Sequence, residues 1–128
     1  MNADFTVSAQ SDRMGYCLAG PRLQIHAARQ MLSKATYFGT IQVSASGKAI
    51  ILMADRQTTG GYPKLAQVAS VDLPLLAQSA PGGVIRFMVI ELKQAQQLDA
   101  QRANAFIQLQ AALQPFRAIF DTYLRTAP

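Results

Sequence analysis

The first ninety or so residues of this 128-residue chain are a series of short apolar runs cut at close intervals by turn residues. That spacing leaves no room for the long crossover helices of a βαβ repeat, so it predicts a mainly β domain, a sandwich or a barrel. The expected strands are Phe5 to Ala9, Tyr16 to Ala19, Leu23 to Ala27, Gly39 to Val43, Ala49 to Met53, Leu65 to Val71 and Val84 to Leu92. Reversals are expected at Gly20-Pro21, at Ala45-Ser46-Gly47, through Thr59 to Pro63, and at Pro81-Gly82-Gly83. Each carries residues whose backbone preferences suit a turn. Asp72 to Gln78 predicts one or two helical turns, with Asp72 as N-cap and Pro74 early, where a missing amide matters little.

After Glu91 the composition changes to Ala, Gln and Leu without Gly or Pro, which predicts a helix from about Gln94 to Gln114. Leu98, Phe106, Leu109 and Leu113 share one face, with Ala105 and Ala112 beside them. Pro115 is expected to interrupt the pattern, and Phe116, Ile119, Phe120, Tyr123 and Leu124 to begin a second short amphipathic helix. Both helices are expected to complete the core or to meet a partner. The division is thus a β domain over 1–92 and a helical extension over 93–128.

Half of the residues are hydrophobic, enough to form a core without a metal or a disulfide, and the single cysteine, Cys17, has no internal partner. With no leader-like opening segment, a reducing cytoplasm is the expected location. The apolar runs are far too short to cross a bilayer, so no membrane partner is expected. The net charge of +5 comes from dispersed bases and few acids, which argues against nucleic acid and leaves an anionic small molecule or partner to exploit it.

The densest group of chemistry-bearing residues is DRQTTGGYPK, Asp55 to Lys64, at the exit of the apolar run AIILMA. Gly60-Gly61 is expected to use positive φ and to let backbone approach a ligand, while Gln57, Thr58 and Thr59 supply neutral hydrogen-bonding groups. SDRMGY, Ser11 to Tyr16, repeats the Asp-Arg pair. Arg13 and Arg56 would then bind a carboxylate, bicarbonate or phosphate, each oriented by an aspartate. Taken alone these are ordinary loop residues, with Asp12 and Asp55 capping turns. The loop is not a Walker motif, so Lys64 is not a nucleotide-phosphate lysine. His26 is the sole histidine, which excludes a His-rich metal site; Cys17 reads as a small buried hydrophobe.

Taken in order, SDRMGY, Gly20-Pro21, GTIQV (Gly39 to Val43), DRQTTGGYPK and APG (Ala80 to Gly82) resemble the second carboxyltransferase subunit or domain. That family includes allophanate hydrolase subunit 2, the carboxyltransferase domain of urea carboxylase, the C subunit of ATP-dependent 5-oxoprolinase and a kinase-inhibitor antagonist. The resemblance covers Phe5 to Glu91 and corresponds to the C-terminal half of the usual domain. It implies a cyclophilin-like β-barrel and a companion subunit. It also implies a small amide, lactam or urea-type substrate, with ATP or biotin entering through the complex and no cofactor held by this chain itself. Within it, Arg56, Gln57 and Tyr62 take catalytic and orienting roles, Asp55 holds Arg56, and Arg13, Thr58, Thr59, Gly60 and Gly61 complete the substrate contacts. Cys17, Lys34 and Ser44 depart from the family pattern, which usually has arginine, an acidic residue and proline there. The resemblance therefore implies either a subunit active only with its companion or a noncatalytic regulatory module.

Overall fold

The computed structural model describes residues 3–24 and 33–126. The expected strand Leu23 to Ala27 lies largely outside the described residues, as does His26. The chain divides into two units, Met1–Ile90 and Glu91–Pro128.

The first unit is mainly β. Its strands are β1 (Asp4–Val7), β2 (Gly15–Ala19), β3 (Lys34–Ala35), β4 (Thr40–Val43), β5 (Ala49–Leu52), β6 (Thr59–Gly60), β7 (Lys64–Gln67) and β8 (Val84–Arg86). Six of them form a curled half-barrel sheet in the order β7-β4-β5-β2-β1-β8, antiparallel throughout. Strands β3 and β6 make a separate ladder of their own.

Alternation along the strands puts Phe5 and Val7 of β1, Leu18 of β2, Ile41 of β4, and Ala49 and Ile51 of β5 into one core, joined by Met53. Leu76 closes it from α1 (Leu73–Ala77), which follows a 3-10 turn at Ser70–Asp72. Strand β4 is buried at all four positions, including the polar Thr40 and Gln42. These two lie on the face of β4 opposite Ile41 and Val43, and they meet residues around Thr36 and Tyr62 there.

Three expectations are corrected here. Strand β7 stops at Gln67, where its pairing with β4 ends at Thr40↔Gln67, the start of β4. Asp72 makes no capping hydrogen bond: the 3-10 turn already gives it helical φ −93° and ψ −11°, whereas an N-cap needs extended backbone. Strand β8 stops at Arg86, since its pairing with β1 ends at Asp4↔Arg86, the start of β1.

The Arg86 guanidinium donates to both oxygens of Asp4, at 2.6 and 2.9 Å, and clasps this last pair. That hydrogen bond holds the Asp4 carboxyl below its ordinary value of 3.8. A carboxyl depressed in the folded state stabilises above its unfolded pKa and loses that contribution as pH falls through the folded one. Asp4→Asn is therefore expected to lower stability slightly near neutrality, where the pair is intact, and to converge on the parent as pH falls below 3.8, which flattens the acid limb of its stability–pH curve. Unfolding midpoints measured down the acid range check this.

The second unit is one helix, α2 (Leu92–Thr126), with Pro115 inside it. This corrects the expected break at Pro115. Proline removes its own amide bond and crowds the Ala111 carbonyl, but Ala111 is exposed, so that carbonyl can turn to water, in a helix free of glycine. Phe106, Leu109, Leu113 and Phe116 are all more than half exposed. No helix among the described residues is long and apolar enough to cross a membrane.

Candidate functional site

The β2–β5 register, with Gly15 opposite Leu52, brings the loops before β2 and after β5 together. The Met53 amide donates to the Met14 carbonyl at 2.9 Å, and the Asp55 amide to the Arg13 carbonyl at 3.0 Å. Asp12 is engaged by its own turn: its Oδ1 accepts from the amides of Met14 and Gly15 at 2.8 and 3.0 Å. It therefore caps a turn rather than orienting Arg13.

Arg13 instead reaches Asp55, Nε to Oδ2 at 3.1 Å, with its own side chain 91% exposed. This overturns the expected pairing of Asp55 with Arg56. The Arg56 guanidinium donates a long hydrogen bond from Nη1 to the Ala54 carbonyl at 3.4 Å. Its Nε is buried and has no partner among the described residues. A buried donor left unpaired is destabilising by about 1–3 kcal/mol, so this atom stands out chemically.

Arg13 and Asp55 border a cleft of about 350 Å³, which Ser11, Tyr16, Ala77 and Pro81 also line. Tyr16 donates its hydroxyl to the Ala77 carbonyl at 3.2 Å, tying β2 to the end of α1. SDRMGY, the start of DRQTTGGYPK and APG thus share one concavity.

The rest of the loop belongs to a second cluster. Thr59 and Gly60 form β6, paired with Ala35 and Lys34. Next to them, Thr36 is buried; its amide donates to the Thr58 carbonyl at 2.9 Å and its hydroxyl to the Gln57 carbonyl. From β4, Gln42 donates its Nε2 to the Tyr62 carbonyl at 3.5 Å. The Lys64 ammonium donates to the Ala35 carbonyl.

The glycines act differently from expectation. Among the described residues, positive φ occurs at Gly39, Gly47 and Gly82, and not at Gly60 or Gly61. Gly60 is needed for space: a Cβ there would stand 2.8 Å from Gln42 Nε2 and 3.2 Å from Thr36 Cγ2. The close approach is thus to the protein's own side chains. Gly39 needs both its φ of +82° and its bareness, since a Cβ would lie 2.6 Å from Leu73 Cδ2.

Of the residues singled out in sequence, Arg13 and Asp55 border the cleft; Arg56 is next to Asp55 in sequence but does not line it. Gln57, Thr58, Thr59, Gly60 and Tyr62 belong to the β3–β6 cluster, with Gln57, Thr58, Thr59 and Tyr62 exposed. Gly61 is exposed between them. Cys17 is half-buried rather than fully buried, and its amide donates to Ser11 Oγ at 3.0 Å. Sequence reasoning missed Thr36 and the role of Gln42. The available signal was GTIQV itself, which places a long polar side chain between the apolar Ile41 and Val43. Among the described residues no group of three or more His, Cys, Asp or Glu is placed to hold a metal ion.

Residues 1–89 match the family model described as carboxyltransferase domain, subdomain A and B. The chain is 48% identical over 95 residues to the 5-oxoprolinase C subunit of Haemophilus influenzae, covering 74% of this chain and 31% of that protein. It is 40% identical over 103 residues to the 5-oxoprolinase C subunit of Escherichia coli, covering 80% and 33%. The chain therefore spans about a third of the length of these curated relatives. Among solved structures, TTHA0988 is similar at 40% identity and TM-score 0.59, over 67% of this chain and 17% of that one. The K. lactis urea amidolyase shares the fold at TM-score 0.73 and 22% identity, over 80% of this chain and 7% of the other. The half-barrel sheet, the motifs gathered at the cleft and these matches agree, and the chain belongs to the carboxyltransferase domain family, subdomain A and B.

Proposed function

We propose that this chain supplies one face of a composite amide- or lactam-processing site in a complex of the 5-oxoprolinase or carboxyltransferase type, completed by a companion subunit. The observation that carries the reading is the buried, unpartnered Nε of Arg56, next in sequence to the Arg13–Asp55 pair at a cleft of about 350 Å³. A cleft of this size suits a small polar molecule. The substrates of such a complex carry a carboxylate or an amide carbonyl that develops oxyanion character on attack. A guanidinium with a free donor is suited to either group.

In this reading Arg56 stabilises the developing charge and Gln57 and Tyr62 orient the substrate. Asp55 fixes Arg13, which adds a second cation, and the Thr58 and Thr59 hydroxyls and the backbone at Gly60-Gly61 supply neutral contacts. ATP finds no phosphate cradle of the P-loop kind here, since Gly60 lies in β6 and the chain runs on into β7 rather than into a helix. No step is assigned to ATP or to biotin in this chain.

The test is co-purification with a companion subunit, followed by ATP-dependent release of glutamate from 5-oxoproline. Complex formation with turnover is the expected result. A stable complex that turns over neither 5-oxoproline nor urea-type substrates would instead make the chain a noncatalytic regulatory module. Within an active complex, Arg13→Ala is expected to raise KM while changing stability by less than about 1 kcal/mol, because an ion pair this exposed contributes little to folding. A thermal melt beside a substrate titration separates the two effects.

A further inference from the structure

We infer that Gln42 is a positioning residue, a buried strut that sets the conformation of the Gln57–Tyr62 loop. The inference rests on the reading of that loop as part of the composite site. Gln42 is 3% exposed on a strand otherwise filled by Thr40, Ile41 and Val43. A buried amide in such a place needs partners, and its Nε2 finds the Tyr62 carbonyl at 3.5 Å.

Gln42 also abuts Gly60: the position a Gly60 Cβ would take is 2.8 Å from Nε2. The strut thus touches the loop at two points, and the glycine is the complement of the glutamine. Thr36 holds the other end of the same loop through the carbonyls of Gln57 and Thr58. Every loop residue so held is anchored by its backbone, which leaves the side chains of Gln57, Thr58 and Tyr62 exposed in one arrangement. A loop fixed from beneath presents its polar groups without the ordering cost that a free loop carries on binding. GTIQV and TTGGYP are therefore two halves of one device.

The test uses Gln42→Met, which keeps length and apolar volume and removes the donor. Hydrogen exchange on the full chain is expected to quicken about 10-fold at the loop amides Gln57 to Tyr62 while β2 and β5 amides keep their rates. In the assembled complex kcat is expected to fall about 10–100-fold, more than KM rises, with assembly unchanged. Gly60→Ala is expected to reproduce the loosened loop, and in a Gln42→Ala background the same change has a smaller further effect, because the closest clash has gone and only the 3.2 Å approach to Thr36 Cγ2 remains. Loop amides that exchange at the native rate, loop and sheet amides that quicken together, or a kcat that survives a loosened loop each overturn the inference. Should the parent complex show no turnover, the reading of the active site falls on its own, and the exchange rates still decide whether Gln42 sets the loop.

Discussion

A Phe5→Ala variant unfolds at distinctly lower urea than the parent chain, with a loss of about 3–5 kcal/mol. Phe5 is 2% exposed and among the largest fully buried side chains of the first unit. Its ring meets Phe87 edge-on, with centroids 5.6 Å apart and an interplanar angle of 62°. On another side it lies over Gly20, where an added Cβ would stand 2.6 Å from Phe5 Cδ1. The bare glycine has no side chain to move into the vacated space, and β1 is fixed between β2 and β8, so collapse is restricted on both sides. The cost therefore includes the cavity as well as the lost transfer energy. Domains of this size have about 5–15 kcal/mol in total, so the variant sits near the edge of folding. With no tryptophan in the chain, circular dichroism is the suitable probe. A loss below about 1 kcal/mol would show that the sheet relaxes around Phe5 and that the core is centred elsewhere.

The features legible in sequence were those with a local cause. Strands β1, β2, β4 and β5 announce themselves by apolar runs between turn residues, and each was found within a residue or two at most of the expected bounds. Pro74 entered its helix in the first turn, as expected. What escaped depends on partners distant in the chain. The β3–β6 ladder has two residues on each side, too few to show any period. The end of β8 is decided by where β1 begins, which no pattern within VIRFMVIEL contains.

The same distinction governs the candidate site. Asp55 and Arg56 are neighbours in sequence, yet they sit in the turn after β5, where the Arg56 amide donates to the Met53 carbonyl at 3.3 Å, and adjacency in a turn does not pair their side chains. The register of β2 on β5 instead delivers Arg13 to Asp55, and Arg56 has no carboxylate partner among the described residues. Sequence could name the motifs; only the sheet sorts them into a cleft and a loop strut.

Arg56→Ala is expected to abolish most of the activity of an assembled complex, about 100–1,000-fold in kcat, the range seen when one donor to a developing oxyanion is removed. Its effect on folding has the opposite sign. Among the described residues the Arg56 Nε is buried without a partner and the guanidinium makes one long hydrogen bond, to Ala54, so the free chain gains little stability from this charged group. An apolar replacement of similar reach, Arg56→Met, removes that unpaired donor and keeps the packing of the stem. It should therefore melt at or above the parent temperature while being as inactive as the alanine variant. Arg56→Lys should restore the charge without restoring activity, because an ammonium lacks the planar fork and the Nε donor. The combination is diagnostic. A residue retained for structure would lower the melting temperature when changed to methionine and would tolerate lysine, whereas one held in readiness for a ligand shows the reverse on both measures. Ligand binding closes the argument from the other side: only a carboxylate or amide that engages Nε should raise the melting temperature of the parent more than that of Arg56→Met.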